Sequence, residues 1–183
     1  MKKKIFAFAL AMTLIVTLFS ACGKQGASDS SSALFKAFES ETLDGEKVTE
    51  EIFKGNKVTM VNVWGIFCPY CVLEMPDIQK LSETYKEKGV RVIGVLCDTA
   101  DTITGENIPE KVQQAKDIVA QAGSEYTHIL PSPSLNKVKL DTVFSVPTTY
   151  FLNEKGELIG TEYVGSRNYE QWSMVLDSIL ELA

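Results

Sequence analysis

The chain has 183 residues, about the size of one domain, with 45% hydrophobic and 23% charged residues. That composition excludes a disordered chain and leaves enough apolar material for one core. A formal charge of −6 excludes nucleic acid as a natural partner, because the phosphate backbone attracts basic surfaces, and it argues against a polybasic membrane patch.

In chain order, the first element is a leader. Lys2, Lys3 and Lys4 precede Ile5 to Phe19, an uncharged run too short to span a bilayer comfortably but suited to the core of a signal peptide. The run ends in Leu18-Phe19-Ser20-Ala21-Cys22, which is similar to a bacterial lipobox, with Phe19 where Leu is usual. The expectation is a lipoprotein-type signal peptide over residues 1–21, a lipid-modified Cys22, and a flexible, small and polar tether over 22–33. The alternative is a plain secretory peptide cleaved near Ala21, with Cys22 incidental.

The folded part is expected over residues 34–183. A turn at Leu43-Asp44-Gly45-Glu46 predicts a hairpin over 36–48. Val58 to Trp64 (VTMVNVW) is β-branched and apolar, as a central strand should be. Pro69 to Lys88 reads as a helix stopped by Gly89, and Val90 to Leu96 as a second strong strand. After a polar loop, Pro109 to Ala122 is a helix with Pro at its first position and Gly123 past its end. Tyr126 to Leu130 is a weaker strand, and a short helix is expected around Ser134 to Leu140. Thr148 to Leu152 is a strand, Asn153 to Gly156 a turn, and Glu157 to Val164 the antiparallel partner. Tyr169 to Leu182 closes the chain as a helix with Trp172, Val175, Leu176, Ile179 and Leu180 on one side. Strands alternating with helices predict an α/β fold: a central mixed sheet flanked by helices, with an N-terminal hairpin extension.

Cys68-Pro69-Tyr70-Cys71 falls at a strand-to-helix junction. A helix start offers unpaired N–H groups and partial positive charge, and both favour the reactive thiolate. The i, i+3 spacing brings both sulfurs to one side of the first turn, with Cys68 as exposed nucleophile and Cys71 as the more buried resolving thiol. Half of a zinc site is a competing reading, but the chain has no second C-x-x-C and one histidine, His128. An inert local disulfide is the other; the strand–helix–strand setting favours redox chemistry.

Glu74 shares a helix face with Cys71, Ile78, Leu81 and Tyr85. A carboxyl on that apolar face is expected to have a raised pKa and to accept the proton of Cys71. A Glu at the helix edge, pointing to water, is the bland alternative. Trp64 is expected to pack beneath the dithiol, shielding it and lining the substrate surface; a purely core role has the same sequence signature. Cys97 ends an apolar strand and reads as a buried small residue. His128 reads as a strand residue without a catalytic task.

Val61 to Cys71 (VNVWGIFCPYC) resembles the strand and active-site run of thioredoxins, and the following Val72 to Pro76 is similar to the C-x-x-C-x-x-E-x-P signature of the membrane-anchored ResA/TlpA-type thioredoxins. Val143 to Leu152 (VFSVPTTYFL) resembles their second signature, which holds a cis-proline. The likeness covers about residues 34–183 and implies a thioredoxin-like fold. It also implies that Pro147 is the cis-proline beside the active site and that the Val146 backbone pairs with a substrate strand. The substrate-facing set is then Trp64, Pro69, Tyr70, Val146 and Pro147, and Glu74 has the same role as above. Pro69 follows the first cysteine and Tyr70 precedes the second, as in glutaredoxins, where the family usually has Pro before the second. That puts the expected potential in or somewhat below the window of about −200 to −230 mV.

The reading is a thiol–disulfide oxidoreductase that needs no metal or organic cofactor, anchored by lipid outside the bacterial cytoplasmic membrane. The resemblance implies that it reduces exported partners, such as apocytochrome c or methionine sulfoxide reductases. It also implies a membrane thiol transporter of the CcdA/DsbD type as electron donor. The rivals are a thiol peroxidase, a metal- or haem-binding lipoprotein chaperone, and a disulfide-forming oxidase on the same scaffold.

Overall fold

The computed structural model describes residues 33–183; the expected signal peptide, Cys22 and nearly all of the tether lie outside the described residues. At the start of the described residues the Leu34 amide donates to the Gly156 carbonyl at 2.7 Å. Strands β1 (Glu39–Glu41) and β2 (Lys47–Thr49) form the hairpin, a two-stranded sheet of its own.

The main sheet has five strands in the order β5-β4-β3-β6-β7. They are β3 (Val58–Trp64), β4 (Val90–Leu96), β5 (Thr127–Ile129), β6 (Thr148–Leu152) and β7 (Tyr163–Val164). β3, β4 and β5 run parallel; β6 is antiparallel to β3, and β7 to β6. The helices are α1 (Pro69–Tyr85), α2 (Pro109–Ala122), α3 (Pro133–Val138) and α4 (Tyr169–Leu182).

Every residue of β3 is buried, because both faces of the central strand are covered. Side chains alternate between the faces. On one face Met60, Val92 and Phe151 pack against α1 and α4, while Trp64 and Leu96 pack against α1 and α2. On the other, Val61, Val63, Ile93 and Tyr150 pack against Phe35, Phe38, Val48, Phe53 and Leu135 of α3. The three long helices therefore share one face, and the N-terminal hairpin region with the six-residue α3 seals the other.

The expected strand over Glu157 to Val164 is mostly absent. Only Tyr163–Val164 joins the sheet, with an isolated bridge from Leu158 to Leu152. Gly160 lies between them at φ 74°, a left-handed turn that a strand cannot run through. Helix α1 ends at Tyr85, and a 3-10 turn over Lys86–Lys88 carries the chain to Gly89 at φ 80°. Pro76 sits inside α1 on its exposed side, where the carbonyl left without a partner can meet water.

Candidate active site

The parallel strands end at Trp64 and Leu96, and the chain turns there into α1. Cys97 N–H donates to the Trp64 carbonyl at 3.0 Å, and Ile66 N–H to Asp98 Oδ1 at 3.1 Å. The loop between β3 and α1 is thus pinned to the end of β4. Gly65 is needed there, since a Cβ would stand 2.8 Å from the Phe67 ring and 3.1 Å from Asp98 Oδ2.

Cys68 is the N-cap of α1, and its sulfur accepts the Cys71 N–H at 3.1 Å. Pro69 follows at the first helical position, where no N–H is required. Cys68 and Cys71 are joined as a disulfide with Cα atoms 5.3 Å apart. Both cysteines are buried, Cys68 at 5% exposure and Cys71 at none, so the expectation of an exposed Cys68 is corrected: it is the less enclosed of the two. Its Sγ lies 3.7 Å from the Val146 carbonyl oxygen, and the Val146–Pro147 bond is cis. Pro147 itself is buried, with its carbonyl accepting the Gly165 N–H at 2.9 Å.

Pro69 and Tyr70 are exposed. Around the disulfide, Phe67, Tyr70 and Leu73 are each about two thirds exposed, and Phe144, two residues before Val146, is 95% exposed. Trp64 does not belong to this rim. It is fully buried, so the expectation that it lines the substrate surface is corrected: the indole lies in one apolar cluster with Cys68, Cys71, Met75 and Leu96, beneath the disulfide.

Glu74 is buried on the same face of α1 as Cys71, Ile78, Leu81 and Tyr85. Its Oε1 accepts from Asn62 Nδ2 at 2.9 Å. Its Oε2 accepts the Arg167 backbone N–H at 3.0 Å and Trp172 Nε1–H at 3.2 Å. Desolvation raises its pKa; the three donors and the Arg167 charge pull the other way and only partly offset it. Glu74, Leu73, Asp77, Arg167, Asn168 and Gln171 line a cleft of about 190 Å³.

Asn62 and Trp172 are site residues that the sequence reading missed. Asn62 had a signal, the one amide in a seven-residue apolar strand. Trp172 was read only as core, and the Arg167 contact is a backbone one with no side-chain signature. Cys97 is half-buried, and burial beside Asp98 pushes its thiol up to about 12, far from a reactive thiolate. Among the described residues no group of three or more His, Cys, Asp or Glu side chains is arranged to hold a metal ion.

A family model described as Redoxin matches residues 29–174. The thiol-disulfide oxidoreductase ResA of Halalkalibacterium halodurans is 33% identical over 119 residues, 65% of this chain and 60% of that protein. The thioredoxin-like protein YneN of Bacillus subtilis is 33% identical over 144 residues, 76% of this chain and 75% of that protein. Among solved structures, a thiol:disulfide interchange protein of the thioredoxin family from Chlorobium tepidum superposes with a TM-score of 0.63 over 80% of this chain and 94% of that one. Its identity is 20%, so that likeness is one of fold.

Proposed function

The chain belongs to the redoxin family and carries the dithiol of a thiol–disulfide oxidoreductase, and from that premise we propose that it reduces disulfides of exported proteins from a lipid anchor at Cys22. The observation that carries the chemistry is the oxidised Cys68–Cys71 pair at the start of α1, with Cys68 the less enclosed cysteine and a buried carboxyl one helical turn beyond Cys71.

In the reduced protein, the helix N-terminus favours the Cys68 thiolate. The thiolate attacks one sulfur of the partner disulfide; a Cys68–partner bond forms, and the other partner sulfur leaves as a thiolate and takes up a proton. Glu74 accepts the proton of Cys71, for which a raised pKa suits it. The Cys71 thiolate then attacks Cys68 Sγ, the mixed disulfide breaks, and the second partner sulfur leaves. Two electrons have passed to the partner, and the protein returns to the oxidised pair. A donor on the same side of the membrane, a thiol transporter of the CcdA/DsbD type, restores the dithiol. The Val146 carbonyl, next to Cys68 Sγ, offers a partner strand a backbone acceptor, and Phe67, Tyr70, Leu73 and Phe144 offer it an apolar rim.

Trapping tests this reading. Cys71→Ala should accumulate mixed disulfides through Cys68 with exported proteins such as apocytochrome c or methionine sulfoxide reductase, all released by reductant. No Cys68-dependent adduct, together with peroxide consumed without any partner, would make the protein a thiol peroxidase instead.

A further inference from the structure

His128 lies on β5, at the register position opposite Gly94 of β4, and Gly94 lies opposite Asn62 of β3. Trp64 is two residues beyond Asn62 and on the same face. Its indole leans back across β4, and Nε1–H donates to His128 Nδ1 at 3.1 Å. The bond passes over Gly94. A Cβ there would collide with His128 Nδ1, and would stand 2.8 Å from His128 Cε1 and 3.1 Å from Trp64 Nε1. Neighbouring strands are about 4.8 Å apart, so the side chains of β3 and β5 meet in this way only across a strand position without a side chain.

Both partners are buried: Trp64 is fully enclosed and His128 is 4% exposed. The rings meet edge-on, with centroids 5.5 Å apart, and Tyr126 lies against the other side of the imidazole at 4.5 Å. An indole N–H can only donate, so Nδ1 is the acceptor and carries no proton. The ring proton then sits on Nε2, 2.8 Å from Ser124 Oγ. Burial lowers the His128 pKa to about 3, so the ring keeps this neutral form over the range in which cells live.

We propose that His128 is a positioning residue for the dithiol: its Nδ1 fixes the Trp64 indole, and the indole fixes the seat of Cys68 and Cys71. Trp64 shares its apolar cluster with both sulfurs, and its own carbonyl anchors the loop through Cys97 N–H. An indole free to turn would leave a buried N–H unpaired and loosen the packing under Cys71. The inference rests on the proposed oxidoreductase function for its consequence, but not for its geometry.

The test uses the whole protein with His128→Phe, which keeps the ring against Tyr126 and removes the acceptor, and His128→Gln, which restores an acceptor. The readouts are the equilibrium constant of the dithiol with glutathione, the rate of disulfide reduction, and nitrogen NMR of the single histidine. His128→Phe should lower the rate by about tenfold, the scale of a small misplacement of reacting groups, and move the glutathione equilibrium at least threefold. His128→Gln should recover most of both. The wild-type ring should show the Nε2-protonated form. A merely structural role would lower the melting temperature of both redox states alike and leave the equilibrium constant unmoved, and that result would overturn the proposal. So would an Nδ1-protonated ring, which decides the matter even where His128→Phe does not fold. A wild-type protein that equilibrates with glutathione yet reduces no protein disulfide would instead overturn the proposed function, leaving the tautomer and the equilibrium constant as intact tests of His128.

Discussion

Glu74 receives three hydrogen bonds in a place that disfavours its charge, and Asn62 shows how the site tolerates both protonation states. With the carboxylate ionised, Asn62 Nδ2 donates to Glu74 and to Thr149 Oγ1, while Asn62 Oδ1 is buried without a partner. With the carboxyl protonated, a half-turn of the amide puts Oδ1 in front of the new O–H. The same half-turn accommodates Glu74→Gln, whose amide oxygen can face Arg167 N–H and Trp172 Nε1–H while its NH₂ faces Asn62. Because the folded pKa of Glu74 is raised, the native state binds this proton more tightly than the unfolded chain does. Its stabilising contribution is full below the ordinary value of 4.5 and is lost as pH rises through the folded pKa. Gln does not titrate. Thermal unfolding of Glu74→Gln should therefore stay within about 1 kcal/mol of wild type at low pH and match or exceed it as pH rises. Disulfide reduction should slow about tenfold or more, since a positioned proton acceptor contributes on the order of 100-fold. The pH–rate profile from pH 5 to 9 should lose one inflection, and Cys68 alkylation should shift less than turnover. Superimposable profiles for the two proteins would remove Glu74 from the mechanism.

Helix α1 was legible in the sequence from its first residue to within one turn of its end, and the stretch after β6 was not; the difference is physical. The helix carries a stripe of Cys71, Glu74, Ile78, Leu81 and Tyr85, and all five are buried as that period demands. The Glu157 to Val164 stretch follows a turn as a hairpin partner does, but that turn says nothing of where the chain must bend again to meet α4, and Gly160 bends it, with its Cβ position 3.2 Å from Ile179 Cδ1. Within the site, the pairing of Cys68 with Cys71, the burial of Glu74 and the cis bond before Pro147 were legible because motifs and the helical period mark them. The Trp64–His128 bond was not, because it joins strands that are remote in sequence across a glycine. The apolar rim is likewise a product of two elements, the start of α1 and the loop before β6. Phe144 lies on that loop and is almost wholly exposed. Phe144→Ser should leave unfolding within about 0.5 kcal/mol of wild type, as exposed substitutions do. Docking a partner that covers a phenylalanine gains on the order of 1.5–3 kcal/mol, so kcat/KM for a protein disulfide should fall about tenfold. The rate with glutathione disulfide, which is too small to span the rim, should not change. Equal losses on both substrates would mean that Phe144 acts on the cysteines and not on the partner.

The scale of the whole molecule is set by charge and by the leader. If Lys2, Lys3 and Lys4 leave with the proposed signal peptide, the net charge goes from −6 to −9, and a chain of that charge is repelled by an anionic lipid surface. No helix among the described residues is long and apolar enough to cross a membrane. The proposed membrane anchor is the Cys22 lipid. One acyl chain holds a protein only marginally, whereas two or more hold it stably. The test is Cys22→Ser behind a plain cleavable leader in place of residues 1–21, so that no uncleaved apolar segment can hold the protein. Wild type should sediment with membranes and resist a high-salt wash, which strips proteins held by charge. The variant should appear in the soluble exported fraction with its glutathione equilibrium unchanged, because Cys22 lies outside the domain that carries Cys68 and Cys71. Reduction of soluble model disulfides should also be unchanged, while exchange with a membrane-bound thiol donor should slow, since the loss of a shared surface lowers the effective concentration of the two proteins. If the variant stays with the membrane, the anchor is not the Cys22 lipid, and the lipoprotein assignment falls while the dithiol chemistry stands.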